Sequence, residues 1–231
     1  MRDRQILITG GTGGLGRSVT TAVLNRGGFP TVTYRNEREV EAVLKGVAAE
    51  HRSRLRLVAV DVTDEAAVAA VIDEMPRLDA AIHLVGGFAM GPTAEFSFAD
   101  WQREIMLNLN TAFLVCKHSL RKMLPQNEGR IVTIGSRGAE QPSGQLAAYC
   151  AAKAGVVALT KAIADETRGT GVTANVVLPS VIDTPANRAA MGDAAATGWV
   201  SPESLAEVIC FLASTAARDI RGAAVPVYGN T

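Results

Sequence analysis

An excess of charge of one sign is absent from this sequence of 231 residues, in which 23 Lys and Arg residues balance 23 Asp and Glu residues. Zero net charge gives no electrostatic reason to expect binding to nucleic acid or to an anionic membrane surface. Apolar runs that approach the ~20 residues of a membrane span are also missing. The composition therefore predicts a globular protein that has neither nucleic acid nor a membrane as its partner.

Cysteine and histidine are scarce, with three widely separated residues of each type. They are Cys116, Cys150, Cys210, His51, His83 and His118. Their spacing predicts reduced thiols and no metal site. We interpret Cys150 as a packing residue and each histidine as a surface or strand-end residue. The polar lead-in from Met1 to Gln5 does not fit a signal peptide, so we expect a cytoplasmic location.

Repeats, linkers and low-complexity segments are absent as well, which predicts a single domain over residues 1–231. Short apolar runs alternate instead with helical patterns, which is typical of a doubly wound α/β fold with a parallel sheet. The predicted strands cover 6–9, 31–34, 55–60, 80–85, 130–134, 173–178 and 223–227. The main predicted helices cover 37–50, 64–75, 101–123, 147–168 and 202–214, and 186–200 is expected to form a mobile lid.

A glycine-rich stretch lies between the first predicted strand and the first predicted helix. Such glycines permit a tight turn and a close approach of backbone N–H groups to a pyrophosphate, which the helix N-terminus then stabilises. Gly11, Gly13 and Gly16 fit the register G-x-G-x-x-G. Gly10, Gly14 and Gly16 fit the alternative register T-G-x-x-x-G-x-G. In either register, the stretch predicts a dinucleotide site rather than a flexible hairpin loop.

Arg35 follows the second predicted strand, about 20 residues after the glycine stretch. A site that prefers NAD has an acidic residue at that distance, which bonds the ribose 2′-hydroxyl. A guanidinium suits a 2′-phosphate instead. We therefore expect NADP(H) as the preferred cofactor, with NAD(H) still possible because Glu37 and Glu39 lie nearby.

Tyr149 and Lys153 are four residues apart in a predicted helix and therefore share one of its faces. A lysine charge within roughly 4–6 Å stabilises a phenolate and lowers the pKa of tyrosine from ~10 toward neutrality. Such a pair suits proton transfer, although the same spacing also occurs on many helix surfaces. Ser136 follows the fifth predicted strand at its carboxyl end, where α/β sheets bind ligands but where serine is also a common turn residue.

The combination of Thr9-Gly10-x-x-x-Gly14-x-Gly16 with Asn108, Ser136, Tyr149 and Lys153 resembles the short-chain dehydrogenase/reductase superfamily in order and spacing. The similarity spans nearly the whole chain. It implies a Rossmann-like sheet of about seven strands, in the order 3-2-1-4-5-6-7, with helices on both faces. It also implies hydride transfer between NADP(H) and a carbonyl or imine-like small molecule.

The resemblance assigns a role to each matching residue. Tyr149 is expected to donate a proton to the substrate oxygen, and Lys153 to lower the pKa of Tyr149 and bond the nicotinamide ribose. Ser136 is expected to bond the developing oxyanion, and Asn108 to hold a water that links Lys153 to solvent. The expected cofactor contacts are Gly10, Thr12, Gly13, Gly14, Leu15, Gly16, Arg35, Asp61, Val62, Gly86, Gly87, Tyr149, Lys153, Pro179, Val181, Ile182 and Thr184.

Two alternatives to this function remain open. His83-Leu84-Val85-Gly86 stands where the family has N-N-A-G, and the segments 86–91 and 177–188 resemble the quinonoid dihydropteridine reductase branch. A dihydropteridine reductase is one alternative, and a non-catalytic NAD(P)-binding regulatory protein is the other.

Two further expectations concern assembly and substrate choice. The long helices 101–123 and 147–168 resemble the helices that pair subunits in the family, which implies a homodimer or homotetramer. Substrate specificity is expected in the segments 88–96, 137–145 and 185–199.

Overall fold

Seven parallel strands form one sheet in the computed structural model, which describes residues 1–231 except for the side chain of Ala195. The strands are β1 (Gln5–Thr9), β2 (Phe29–Tyr34), β3 (Arg56–Ala59), β4 (Ala80–His83), β5 (Gly129–Ile134), β6 (Val172–Pro179) and β7 (Ala224–Val227). Their order is β3-β2-β1-β4-β5-β6-β7, and all neighbouring pairs are parallel. The predicted Rossmann-like α/β fold is confirmed, and its strand bounds are correct to within two residues.

Helices connect the strands and pack on the sheet. They are α1 (Gly14–Asn25), α2 (Glu37–Gly46), α3 (Glu65–Asp73), α4 (Phe98–Ile105), α5 (Thr111–Gln126), α6 (Ala147–Glu166), α7 (Pro185–Met191) and α8 (Pro202–Leu212). Polar side chains at the helix starts explain several of these boundaries. Asp64, for example, accepts hydrogen bonds from the backbone N–H groups of Ala66 and Ala67 and so begins α3 as predicted.

The side chains of β1 alternate between two hydrophobic clusters, as the period of two in a strand requires. Ile6 and Ile8 pack with residues of α1 and α8, whereas Leu7 packs with residues of α3, α5 and α6. Both faces of the sheet are therefore buried, which explains why its strands read as nearly continuous apolar runs. The carboxyl ends of all strands meet at one edge, where the loops with polar residues lie.

The helix predicted over residues 101–123 is interrupted in the structure, which corrects that prediction. The helix begins earlier, at Phe98, and a π-helical turn over Met106–Asn110 separates α4 from α5. Within this turn, Asn108 is buried, with 1% of its surface exposed. π-Helical turns are rare and are frequent at functional sites. Neither glycine nor proline marks the turn, so the local sequence contains no signal for it.

The lid expected over residues 186–200 is more regular and more buried than predicted. Its first half is helix α7, which begins after Thr184, whose hydroxyl accepts a hydrogen bond from the N–H of Asn187. Its last residue, Val200, is 3% exposed, belongs to the core cluster of Ile6 and forms an isolated bridge with Ile182. The end of the segment is therefore part of the core.

One histidine also departs from expectation. His118 lies on α5 with only 7% of its surface exposed, and its Nε2 lies 3.1 Å from the Glu65 carboxylate. It is neither a surface nor a strand-end residue, because it occupies the face of α5 that packs against α3. The three cysteines are buried thiols without disulfide bonds.

Among the described helices, α6 is long and apolar enough, by length and composition alone, to span a membrane. A core helix passes the same test, and 44% of the apolar window of α6 is buried inside the protein. This helix contains Tyr149 and Lys153, so its apolar character serves packing against β6 and placement of those two side chains.

Candidate active site

The glycine stretch turns the chain from β1 into α1 with almost no space to spare. Gly10 has a φ of +72°, a conformation that other residues rarely adopt. A Cβ atom at Gly16 would lie 2.2 Å from the carbonyl oxygen of Gly10, whereas a Cβ at Gly13 would have 3.5 Å of room. Gly16 belongs to both registers, and a Cβ at Gly11 would also lie 2.6 Å from Val32. The register Thr9-Gly10-x-x-x-Gly14-x-Gly16 is therefore favoured only by the φ of Gly10 and the room at Gly13.

The residues around this turn fit a dinucleotide. No side chain caps α1, because its N-cap residue is Gly13, so backbone N–H groups of its first turn remain available to an anion. A Cβ at Gly14 would lie 2.8 Å from the side chain of Thr184, which places the loop after β6 against the glycine turn. Two segments that we expect to contact the cofactor therefore meet here, and Pro179, Val181 and Ile182 lie in the same loop.

Arg35 follows β2 at the same edge of the sheet and is exposed. Its charge contributes to holding the pKa of Asp61 below its usual value, after the larger effect of hydrogen bonds from the backbone and hydroxyl of Thr63. The structure thus brings Arg35 near Asp61, whereas the side chain of Val62 is buried in the core. Glu39 accepts a hydrogen bond from the hydroxyl of Thr12 and is thereby held at the glycine turn.

Asn108 connects the loop after β4 to the helix before it. Its Oδ1 accepts a hydrogen bond of 3.1 Å from the N–H of Gly87, and its Nδ2 donates to the backbone oxygen and the carboxylate of Glu104 at 3.1 and 3.2 Å. A Cβ at Gly86 would lie 2.8 Å from Asn108 Oδ1 and 3.2 Å from Lys153 Nζ. Glycine at this position therefore allows the loop to lie against both side chains.

Lys153 and Tyr149 face the same space from α6. The Lys153 ammonium is buried, donates a 3.0 Å hydrogen bond to the carbonyl of Ile134 at the end of β5, and lies 5.8 Å from the centroid of the Tyr149 ring. Ser136 is also buried and accepts a hydrogen bond from the N–H of Gly138. The fold thus brings Ser136, Tyr149, Lys153 and, through Gly86, Asn108 into one site.

Burial dominates the pKa values of this site. It lowers the pKa of Lys153 to about 8, an effect that the negative charge of Glu104 opposes. It raises the pKa of Tyr149, and this effect outweighs the hydrogen bond with Ser136. We expected Lys153 to lower the pKa of Tyr149. In the protein alone this pKa is raised instead, because burial disfavours the charged phenolate more than the hydrogen bond with Ser136 favours it.

His83, at the end of β4, replaces the asparagine of the family pattern and is buried. Its Nδ1 lies 2.7 Å from the hydroxyl of Thr9 and its Nε2 lies 3.2 Å from the hydroxyl of Thr111. Because Thr111 donates its own proton to Leu107, His83 donates from Nε2 and accepts at Nδ1. Burial, with the charge of Lys153, lowers the pKa of His83 to about 3, so the ring is a neutral link between β1 and α5.

A cavity of about 200 Å³ lies between the segment after β4 and the start of α6. Its walls include Ala89, Phe96, Trp101 and Gln145, so two of the three segments expected to determine specificity line it. Phe88, at 61% exposure, is not a core residue. It meets Tyr149 edge to face, with a centroid distance of 5.1 Å. The described residues contain no cluster of three or more metal-ligating side chains.

Sequence reasoning missed Glu104, whose carboxylate bonds Asn108. The available signal was its spacing, since Glu104 lies four residues before Asn108 in a predicted helix and four-residue neighbours share a face. That signal was weak, because a glutamate on a helix with polar neighbours is ordinarily exposed.

The chain is similar to known proteins over nearly its whole length. A family model described as short chain dehydrogenase matches residues 4–194. D-threitol dehydrogenase of Mycolicibacterium smegmatis is 33% identical, over 97% of this chain and 91% of its own. The structure of levodione reductase has a TM-score of 0.90 at 26% identity and covers 98% of this chain and 96% of that one. A single-residue variant of actinorhodin polyketide ketoreductase, solved with NADPH, has a TM-score of 0.88 at 30% identity, with 99% and 98% covered.

The packing of the glycine turn yields a prediction for stability. Gly16→Ala forces its Cβ against the backbone of Gly10 and Gly11, and we expect the free energy of unfolding to fall by about 1–3 kcal/mol despite the better helix propensity of alanine. Gly13→Ala, which has room, is the control and should change it by less than about 0.5 kcal/mol. Urea denaturation measures both values, and equal stabilities for the two variants would contradict the packing described.

Proposed function

Because the chain belongs to the short-chain dehydrogenase family and is an NAD(P)-dependent oxidoreductase, we propose that it reduces a carbonyl group reversibly, with NADPH as the preferred cofactor and Tyr149 as the proton donor. The observation that supports this proposal best is that Ser136, Tyr149 and Lys153 lie together at the carboxyl end of β5. The neighbouring strand β6 leads into the loop of Thr184, which packs against the glycine turn. Bound NADPH supplies the hydride.

Tyr149 is the group that completes the reduction. Its raised pKa keeps the phenol protonated at neutral pH, so it can donate a proton to the substrate oxygen as negative charge develops there. In the reverse direction the phenol must first lose that proton. Oxidation of an alcohol should therefore require a higher pH than reduction of a carbonyl group.

Ser136 and Lys153 support this proton transfer. The Ser136 hydroxyl lies beside Tyr149 and donates to the developing oxyanion, a contribution on the order of 3–4 kcal/mol for one such donor. The Lys153 ammonium is positioned by Ile134 near the face of Tyr149 and stabilises the phenolate that remains after the transfer. Asn108, which is held by Gly87 and Glu104, fixes the loop after β4 beside Lys153.

The substrate is proposed to be a small uncharged carbonyl compound. The cavity at the start of α6, which Ala147 and Ala148 line, has mostly apolar walls, with phenylalanine and tryptophan side chains among them. The names of the relatives, a dehydrogenase of D-threitol and a reductase of levodione, agree with alcohol and ketone chemistry. A substrate panel should include quinonoid dihydropteridine, because the sequence also resembles that reductase branch.

The first functional prediction concerns the proton donor. Tyr149→Phe removes the acidic hydroxyl and keeps the ring, so we expect turnover to fall by about 10²-fold or more while NADPH binding is retained. Steady-state oxidation of NADPH with a panel of ketones measures turnover, and fluorescence titration measures binding. Tyr34→Phe, a tyrosine at the end of β2, is the control for loss of a hydroxyl. Near-normal turnover of Tyr149→Phe rejects the assignment, and binding without turnover by the unaltered protein favours a regulatory NADP-binding protein.

The second concerns cofactor choice. Arg35→Ala removes the guanidinium proposed to bond the 2′-phosphate, a charge-assisted contact worth about 1.5–3 kcal/mol, so the KM for NADPH should rise by about 10- to 100-fold. The KM for NADH should change little. Lys45→Ala, which removes an exposed cation at the end of α2, is the matched control. An equal rise of KM for both cofactors would mean that Arg35 does not bind the 2′-phosphate.

The third concerns assembly, for which we propose a homodimer or homotetramer paired through α5 and α6. Phe113 on α5 is 49% exposed, and α6 exposes Ala151 and Ala154, whose small side chains permit close helix approach. Light scattering should give two or four times the 24.2 kDa chain mass, and Phe113→Asp should shift the measured mass toward that of a single chain. Phe211→Asp, an exposed phenylalanine on α8, should leave this pairing intact. A single-chain mass for the unaltered protein contradicts the proposal.

A further inference from the structure

Glu104 is a buried carboxylate that lies one helical turn before Asn108. Only 3% of its surface is exposed, although glutamate is rarely buried in proteins without a partner. Its Oε2 accepts a hydrogen bond of 3.2 Å from Asn108 Nδ2. Its Oε1 faces the loop after β4, since a Cβ at Gly87 would lie 3.6 Å from it. The carboxylate therefore contacts Asn108 and the loop after β4, and Gly86 of that loop lies against the Lys153 ammonium.

The charged, titratable and polar groups around Glu104 come from three elements. Arg103 lies next to it on α4, Lys153 and Tyr149 face it from α6, and the backbone N–H of Ala89 reaches it from the loop. Burial raises the pKa of Glu104, while Ala89, Arg103, Asn108 and Lys153 oppose that rise. The hydrogen bonds that Asn108 Nδ2 and the backbone N–H of Ala89 donate to this carboxylate favour its ionised form.

We propose that Glu104 is a positioning residue of the active site, which orients the Asn108 amide and supplies the negative charge that keeps Lys153 and Tyr149 protonated. This inference rests on the proposed reductase function. The sign follows from electrostatics, because a nearby negative charge favours the proton-bearing form of a neighbouring group. Glu104 accordingly raises the pKa of both Lys153 and Tyr149. His83, the other titratable ring near Lys153, stays neutral and does not compete.

Glu104→Gln is the sharpest test, since glutamine keeps the shape and an acceptor oxygen while removing the charge. Reduction requires protonated Tyr149 and Lys153, so its rate falls at alkaline pH. In Glu104→Gln this alkaline limb should move to lower pH by about one unit. The measurement is the pH profile of kcat/KM for NADPH-dependent ketone reduction. A residue that merely supports the fold would change stability or the plateau rate and leave the limb in place.

Glu166→Gln is the matched control, because it removes an exposed carboxylate from the helix that contains Lys153. Thirteen residues separate the two positions, which corresponds to roughly 20 Å along a helix and exceeds the Debye length of about 8 Å at physiological salt. Its alkaline limb should coincide with that of the unaltered protein.

A second readout does not depend on turnover. The ultraviolet absorbance of phenolate follows ionisation of tyrosine, and subtraction of the Tyr149→Phe titration isolates residue 149 from Tyr34 and Tyr228. With NADP⁺ bound, the Tyr149 step should occur at lower pH in Glu104→Gln than in the unaltered protein. If the phenolate step shifts in Glu104→Gln although the unaltered protein does not reduce ketones, the reductase proposal fails and this inference stands.

Folding of the variants is checked by circular dichroism and NADPH titration. Should Glu104→Gln not fold, Glu104→Asp and Glu104→Asn replace it, because these two side chains have equal length and differ in charge. The Asp variant should then keep the alkaline limb and the phenolate step at higher pH than the Asn variant. Coincident pH profiles and coincident phenolate titrations, in either pair, would overturn the proposed role of Glu104.

Discussion

The buried ammonium of Lys153 is the constraint around which the site is arranged. Moving a charge out of water is costly unless other groups replace its solvation. The carbonyl of Ile134 accepts a hydrogen bond from this ammonium, and the negative charge of Glu104 offsets part of the lost solvation. Gly86 has no side chain, so its backbone can lie against both Lys153 and Asn108. Burial nevertheless has the larger effect, and the pKa of Lys153 falls to about 8.

Sheet topology gathers these groups, because parallel strands end at a common edge. The glycine turn follows β1, Gly86 and Gly87 follow β4, Ser136 follows β5 and Thr184 follows β6. Contacts between loops then link the ends of non-consecutive strands. Thr184 packs against Gly14, and His83 connects β1 to the helix beyond Asn108.

Much of this arrangement could be predicted from local patterns. Alternating apolar runs predicted all seven strands, and Asp64 predicted the start of α3, because burial periodicity and capping depend on neighbouring residues. Other features depend on distant residues. No local sequence signal predicts three such features, because each depends on packing between elements far apart in the chain. They are the π-helical turn at Asn108, the burial of His118 and the core position of Val200.

The sequence by itself determined the α/β class, the strands and, through the spacing of Tyr149, Lys153 and Ser136, a chemical hypothesis. Only the tertiary structure decided the protonation chemistry of the site. Spacing in a helix fixes which side chains share a face, but a pKa depends on desolvation and on charges from every neighbouring element. The raised pKa of Tyr149 and the burial of Glu104 depend on packing between elements, which no single segment specifies.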